Sequence, residues 1–122
     1  MRSVNKKIQI LILLLAVSII LSGCGGVKQG SMEDTAKTFF QAMVNGDEET
    51  LNKINKSDPL DQPTHFLISY YAPGYADLDI SDFYFEVDEE NERVLVKRKA
   101  TDKVFASYNI QKIGNKYYYM GS

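Results

Sequence analysis

One cysteine and one histidine in 122 residues leave this chain little reactive chemistry. Cys24 alone can form neither a disulfide framework nor a cysteine-based metal site. The apolar run Ile8 to Leu21, interrupted by Gln9 and Ser18, falls short of the roughly 20 residues that a membrane-spanning helix needs. Positive charge is scarce beyond it. Arg2, Lys6 and Lys7 precede residue 24 and no acid does, so the remainder carries 11 basic and 16 acidic residues, a formal charge of −5. Such a balance argues against a nucleic-acid partner, which requires a basic face. It also argues against adsorption to anionic lipid through a polybasic patch.

What the N-terminus does contain is an export pattern: a basic segment without acids, an apolar segment, then small residues. Its last four residues, Leu21-Ser22-Gly23-Cys24, resemble the lipobox of bacterial lipoproteins. The resemblance implies a diacylglyceryl group on the Cys24 sulfur and cleavage between Gly23 and Cys24. It places the mature protein on the extracytoplasmic face of the cell membrane, lipid-anchored, with the membrane as its first partner. Two acyl chains hold stably where one holds only marginally. Residues 1–23 are then signal peptide, 24–31 the lipidated cysteine and a short flexible tether, and 32–122 one folded domain. With its cysteine used by the anchor, the domain has no thiol for catalysis. All 14 aromatics, eight Tyr and six Phe, fall within it and supply its core.

The domain opens with a helical period. Ala36, Phe39, Phe40, Met43 and Val44 recur at i, i+3, i+4, i+7 and i+8 and predict an amphipathic helix over Met32 to Asn45. Ser31 is its expected N-cap and Asn45-Gly46 its stop. Asp47 caps a shorter helix through about Asn55, with Leu51 and Ile54 inward and Glu48 and Glu49 favoured by the helix dipole. Thr64 to Tyr71 fits a helix face of Phe66, Leu67, Tyr70 and Tyr71, capped by Thr64. Its aromatic and β-branched content also fits a strand, and helix is the preferred reading.

From Ile80 the period becomes two, which predicts a four-stranded meander: Ile80 to Val87, Glu92 to Ala100, Val104 to Ile113 and Lys116 to Gly121. A first loop at Asp88 to Asn91 sets Phe85 opposite Val94, Phe83 opposite Val96, Glu86 opposite Arg93 and Asp82 opposite Lys97. A second at Thr101 to Lys103 sets Val96 opposite Tyr108 and Val94 opposite Ile110. A third at Gly114-Asn115, glycine first as a type II′ turn prefers, sets Ile110 opposite Tyr119. The apolar face runs through Phe83, Phe85, Val87, Val94, Val96, Val104, Ala106, Tyr108, Ile110, Tyr117 and Tyr119, interrupted by Arg98, and should cover the first helix. The expected class is therefore α+β, helices packed on a four-stranded antiparallel sheet.

The helix pattern Ala36-x-x-Phe39-Phe40-x-Ala42, the Gly46-Asp47 break and the closing Gly114-Asn115-Lys116-Tyr117-Tyr118 resemble the NTF2-like (cystatin-like) superfamily, in particular its small bacterial lipoproteins of unknown function. The resemblance implies a curved sheet wrapped on the helix and a pocket at the open end. Some members are isomerases or cyclases and many only bind or assemble, so fold does not decide function.

No catalytic set emerges. His65 beside Pro63-Thr64 reads as solvated or capping rather than as a pocket base, and Asp82 as an ion-pair partner rather than a pocket carboxylate. Asp88-Glu89-Glu90 with Glu92 lacks the spaced oxygens and glycine of a calcium loop. No metal or cofactor is expected. On the outer face Tyr84, Leu95, Asn109 and Met120 line up across the strands in the expected register, with Phe105 and Tyr118 on the same side, as a candidate interaction face. The expected function is non-catalytic binding of a protein, a peptide or a small apolar ligand close to the membrane. The alternatives are an isomerase- or cyclase-like enzyme using Asp82 or His65, and a structural subunit of a membrane assembly.

Overall fold

Ser31 begins the ordered helical part as its chemistry requires. Its hydroxyl accepts the Asp34 N–H at 3.0 Å from an extended backbone, and α1 follows over Met32–Asn45. The structure, a computed structural model, describes residues 27–57 and 62–122, so Gly23 and Cys24 lie outside it. Gly46 ends α1 in the left-handed region at φ 62°, and the Asp47 N–H reaches back to the Ala42 carbonyl at 2.8 Å. The same Asp47 caps α2, Glu48–Ile54, accepting from the Thr50 N–H at 3.1 Å and the Thr50 hydroxyl at 2.6 Å. One residue therefore closes one helix and opens the next.

The third helical segment is short and irregular. It has one α-turn, α3, Thr64–Phe66, then a π-helical turn, Leu67–Tyr71, and a 3-10 turn, Ala72–Gly74. Helix is thus the right reading of Thr64 to Tyr71, but Pro63 rather than Thr64 occupies the cap position and makes no side-chain cap bond. Only Leu67 of the expected apolar face is buried, while Tyr70 is 72% and Tyr71 47% exposed. The five-residue step from the Ala72 N–H to the Leu67 carbonyl turns the tyrosines off the face that α-periodicity predicts.

The sheet is open and antiparallel in the order β1-β2-β3-β4, with β1 Phe83–Asp88, β2 Arg93–Arg98, β3 Val104–Ile113 and β4 Lys116–Tyr119. Ile80–Asp82 is a 3-10 turn, not the start of β1, because Asp79 accepts from the Ser81 N–H and hydroxyl. The first two expected registers are each two residues off. Phe85 faces Val96, Val87 faces Val94 and Asp88 faces Arg93, while Val94 faces Tyr108 and Val96 faces Ala106. A two-residue shift keeps every side chain on its face. It moves the ion pairs one step along, to Arg93–Asp88 at 3.3 Å and Lys97–Glu86 at 2.8 Å, in place of Glu86–Arg93 and Asp82–Lys97. The third register is as expected, with Ile110 opposite Tyr119 and Gly114 at φ 68°.

The helices pack on the sheet around Phe39, Phe40, Met43, Leu51, Ile54, Val94, Val96, Tyr108, Ile110 and Tyr119, all at most 1% exposed. Val87 and Val104, at the rim of the expected apolar face, are 36% and 54% exposed. Arg98 keeps its head outside, with its guanidinium carbon 5.1 Å from the centre of the Phe83 ring and 5.2 Å from that of Phe105.

The stretch read as a flexible tether is not free beyond residue 26. Val27 packs against the core, the Lys28 carbonyl accepts from the Thr38 hydroxyl at 3.0 Å, and Gln29 is buried. The Gln29 carbonyl accepts the Tyr117 N–H at 3.0 Å and its side-chain amide donates to the Tyr117 carbonyl at 2.9 Å, so the strap lies along the outer edge of β4.

Asp47→Ala should cost about 1 kcal/mol, the ordinary worth of an N-cap. The hydrogen bonds from Thr50 hold the Asp47 carboxyl below the usual carboxylate range. Its contribution is therefore present above the unfolded-state pKa near 3.8 and is lost as pH falls through the lower folded value. Urea unfolding at pH 7 and pH 2.5 should show the wild-type advantage over the variant at the first pH and a smaller one at the second.

Candidate functional site

Phe39 and Met43 lie one turn apart on α1, facing the inner side of β3 and β4, and form the floor of a cleft of about 370 Å³. Leu67, Tyr70, Tyr71, Gly74 and Tyr75 of the third helical segment and its turn form one wall. Phe105, Ala106, Ser107 and Tyr108 of β3, with Tyr119 and Ser122, form the other. The exposed Tyr70 and Tyr71 rings stand at its rim, and Phe66 braces them, with ring centres 4.6 and 5.6 Å away.

A β-bulge shapes the second wall. Val96 pairs with Ala106 and Lys97 with Val104, so Phe105 is an extra residue on β3. The extra residue turns Phe105 inward, against Phe40, Tyr75 and Phe83 with ring centres 6.1, 5.2 and 5.2 Å away. Phe105 therefore belongs to the core and the cleft, not to the outer face where strict alternation places it.

The polar residues of the cleft are mainly phenols, with Ser107 and Ser122 beside them. The Tyr75 and Tyr108 hydroxyl oxygens are 2.8 Å apart, and both residues are buried. The Tyr119 hydroxyl donates to Gln62 Oε1 at 2.6 Å and lies 2.6 Å from the Ser122 hydroxyl. Burial raises the Tyr75 pKa against a smaller opposing pull from Tyr108, and raises that of Tyr108 well above 10, with Tyr75 adding to the effect. It pushes Tyr119 up to about 12. All three phenols are protonated at neutral pH. In the Tyr75–Tyr108 pair one hydroxyl donates to the other, which leaves one O–H to offer a neutral acceptor. Among the described residues the lining contains no carboxylate, histidine, lysine or arginine side chain. The cleft can thus hold an apolar body and orient one oxygen.

The residues singled out from sequence lie elsewhere. His65 and Asp82 are exposed and neither lines the cleft. Asp82 is engaged through its carbonyl, which accepts the Lys99 N–H at 3.0 Å. The outer residues do not form one row. Tyr84 faces Lys97 and donates to Asp102 at 3.0 Å, Leu95 lies between Glu86 and Ser107, and Asn109 faces Arg93. Met120 lies beside Asn109, its N–H donating to the Asn109 carbonyl at 2.7 Å, and Tyr118 sits beneath the Lys56 ammonium at 5.3 Å. The two-residue register shifts divide the row. Tyr75 is the cleft residue that periodicity misses, since it follows the third helical segment and belongs to no repeat. The usable signal is an aromatic placed directly after Ala72-Pro73-Gly74, where a solvated turn would hold a polar residue.

Among the described residues no cluster of His, Cys, Asp and Glu side chains could hold a metal, and no helix is long and apolar enough to cross a membrane. No family model, curated protein or solved structure matches this chain.

Tyr75→Phe should destabilise the fold by about 1–3 kcal/mol, because it strips a buried hydroxyl of its partner. Adding Tyr108→Phe should cost less than the sum of the two single changes. A double-mutant cycle by chemical denaturation measures the coupling.

Proposed function

We propose that the protein is an extracytoplasmic lipoprotein, anchored through Cys24, whose NTF2-like domain acts without catalysis by binding a small, neutral, largely apolar ligand near the membrane. The observation that carries the binding half is the cleft: aromatic walls, phenols as its main polar groups, and, among the described residues, no carboxylate, histidine, lysine or arginine side chain in its lining. A volume of about 370 Å³ is within the range of small-molecule sites. A helix against an open antiparallel sheet, with a cleft between them, agrees with the arrangement that the NTF2-like resemblance implies. The exposure of both Asp82 and His65 counts against an isomerase-like use of either.

The anchoring half rests on Leu21-Ser22-Gly23-Cys24 behind a basic and apolar leader. The docked strap sharpens it. Only Gly25 and Gly26 separate Cys24 from Val27, a reach of about 10 Å at full extension. The domain then lies against the headgroups, close to the apolar solutes that the bilayer concentrates.

N-phenyl-1-naphthylamine, a neutral apolar fluorophore, should bind the full chain saturably, with enhanced emission. Ala106→Phe, which fills the cleft, should weaken it at least tenfold with the circular dichroism unchanged. Equal binding by the variant would place the probe elsewhere and remove the cleft from the reading. In cells, Cys24→Ser should abolish labelling by an alkynyl fatty acid and leave the chain unprocessed or released. Retained labelling would remove the anchor.

A further inference from the structure

Gln62 to Ala76 contains no Asp, Glu, Lys or Arg, the longest such stretch after residue 24 in a sequence of which 25% is charged. It holds the third helical segment and its turn, which form one wall of the cleft. Ser69, Tyr70, Tyr71, Pro73 and Ala76 are exposed, and Phe66 is half-buried against the two tyrosines. The other exposed large apolar side chains stand singly beside charge. Val87 lies between Glu86 and Asp88, Val104 follows Lys103, and Ile113 follows Lys112. Tyr70 and Tyr71 are adjacent, flanked by Ser69 and Ala72, and with Phe66 they form one uncharged aromatic lobe at the mouth of the cleft. Such a patch marks a contact surface.

Chemistry and position together select a lipid interface as its occupant. A tyrosine has an apolar ring and a hydroxyl that stays hydrated, and such side chains collect where acyl chains meet headgroups. A lobe without charge enters that region without the cost of desolvating an ion. Its position follows from α1. Ala42 borders the groove that Val27 also lines, and the next residue, Met43, borders the cleft. The strap's exit toward Cys24 and the cleft therefore flank the same part of one helix, which is about 10 Å across. Gly25 and Gly26 let Cys24 reach about as far from Val27. A lipid on Cys24 and the aromatic lobe can thus meet one membrane surface.

We propose that the lobe of Phe66, Tyr70 and Tyr71 docks on the lipid interface of the bilayer and turns the mouth of the cleft toward it. The proximity rests on the anchoring through Cys24 proposed above, and the docking face does not depend on which ligand the cleft holds.

The chain has no tryptophan, so Tyr70→Trp and Ile113→Trp each install a single reporter. Ile113 is the control, as exposed as Tyr71 but at the end of β3 away from the cleft. Each full-length variant is coupled through Cys24, its sole thiol, to a maleimide-bearing lipid in phosphatidylcholine vesicles. The coupling supplies the tether whether or not cells lipidate Cys24. Phosphatidylcholine brominated in its acyl chains should quench Tyr70→Trp at least threefold more than Ile113→Trp. Adding Tyr71→Asp to Tyr70→Trp should remove most of that difference with the circular dichroism unchanged. Equal quenching of the two reporters, or none of Tyr70→Trp, overturns the proposal. So does a blue shift of Tyr70→Trp without quenching: one that grows with protein density makes a second copy the occupant, and one that needs added membrane proteins makes a protein the occupant. A false lipobox would show in the fatty-acid labelling of cells and leave the quenching unaltered, so the two failures are distinct.

Discussion

Two adjacent phenylalanines on one helix cannot point the same way, and the domain is arranged around that constraint. Successive residues of an α-helix project about 100° apart. Phe39 stacks on Tyr119, with ring centres 4.0 Å apart and planes 19° apart, and lies 4.6 Å from Tyr108. Phe40 meets Tyr75, Phe83 and Phe85 at 5.2, 4.9 and 5.9 Å. One sheet must supply both clusters, the first from β3 and β4 and the second mainly from β1 and the bulge of β3. The cleft opens where they meet: Phe39, Tyr108 and Tyr119 border it from one cluster, Tyr75 and Phe105 from the other. The site is thus a seam between two aromatic groups rather than a hole cut in one core.

The helices were legible because their signals are local. Ser31, Gly46 and Asp47 act within four residues of themselves, and sequence states their chemistry fully. The sheet was legible in parity but not in absolute register. Hydrophobic alternation is unchanged by a slip of two, and the acids of β1 repeat every second residue, so charge pairing was nearly unchanged as well. What fixes the register is turn geometry at Glu92 and Asp102, φ 52° and 58°, left-handed positions held without glycine. Asp is enriched in that region and Glu is not, so the first turn gave no compositional sign.

The cleft was less legible than the fold. Its walls depend on a bulge that sends Phe105 inward and on a π-turn that sends Tyr70 and Tyr71 outward, and each breaks the periodicity from which facing is read. The hydroxyl contact between Tyr75 and Tyr108 joins residues 33 apart in sequence, a pairing that no spacing rule proposes. The straight alignment of the outer row was lost for the matching reason: it needed absolute registers, and two of three were displaced by two residues, while Tyr84, Leu95 and Asn109 keep the outer face.

The clasp of Gln29 on Tyr117 also has a mechanical meaning. A pull along the N-terminal strap is borne first by the hydrogen bond from the Thr38 hydroxyl on α1 to the Lys28 carbonyl, and beyond it by the two hydrogen bonds between Gln29 and Tyr117 of β4. Tyr117 lies two residues before Tyr119, whose ring Phe39 stacks upon and whose hydroxyl borders the cleft. Tension on the strap is therefore delivered to α1 and to β4, the two elements whose Phe39 and Tyr119 rings stack at the cleft.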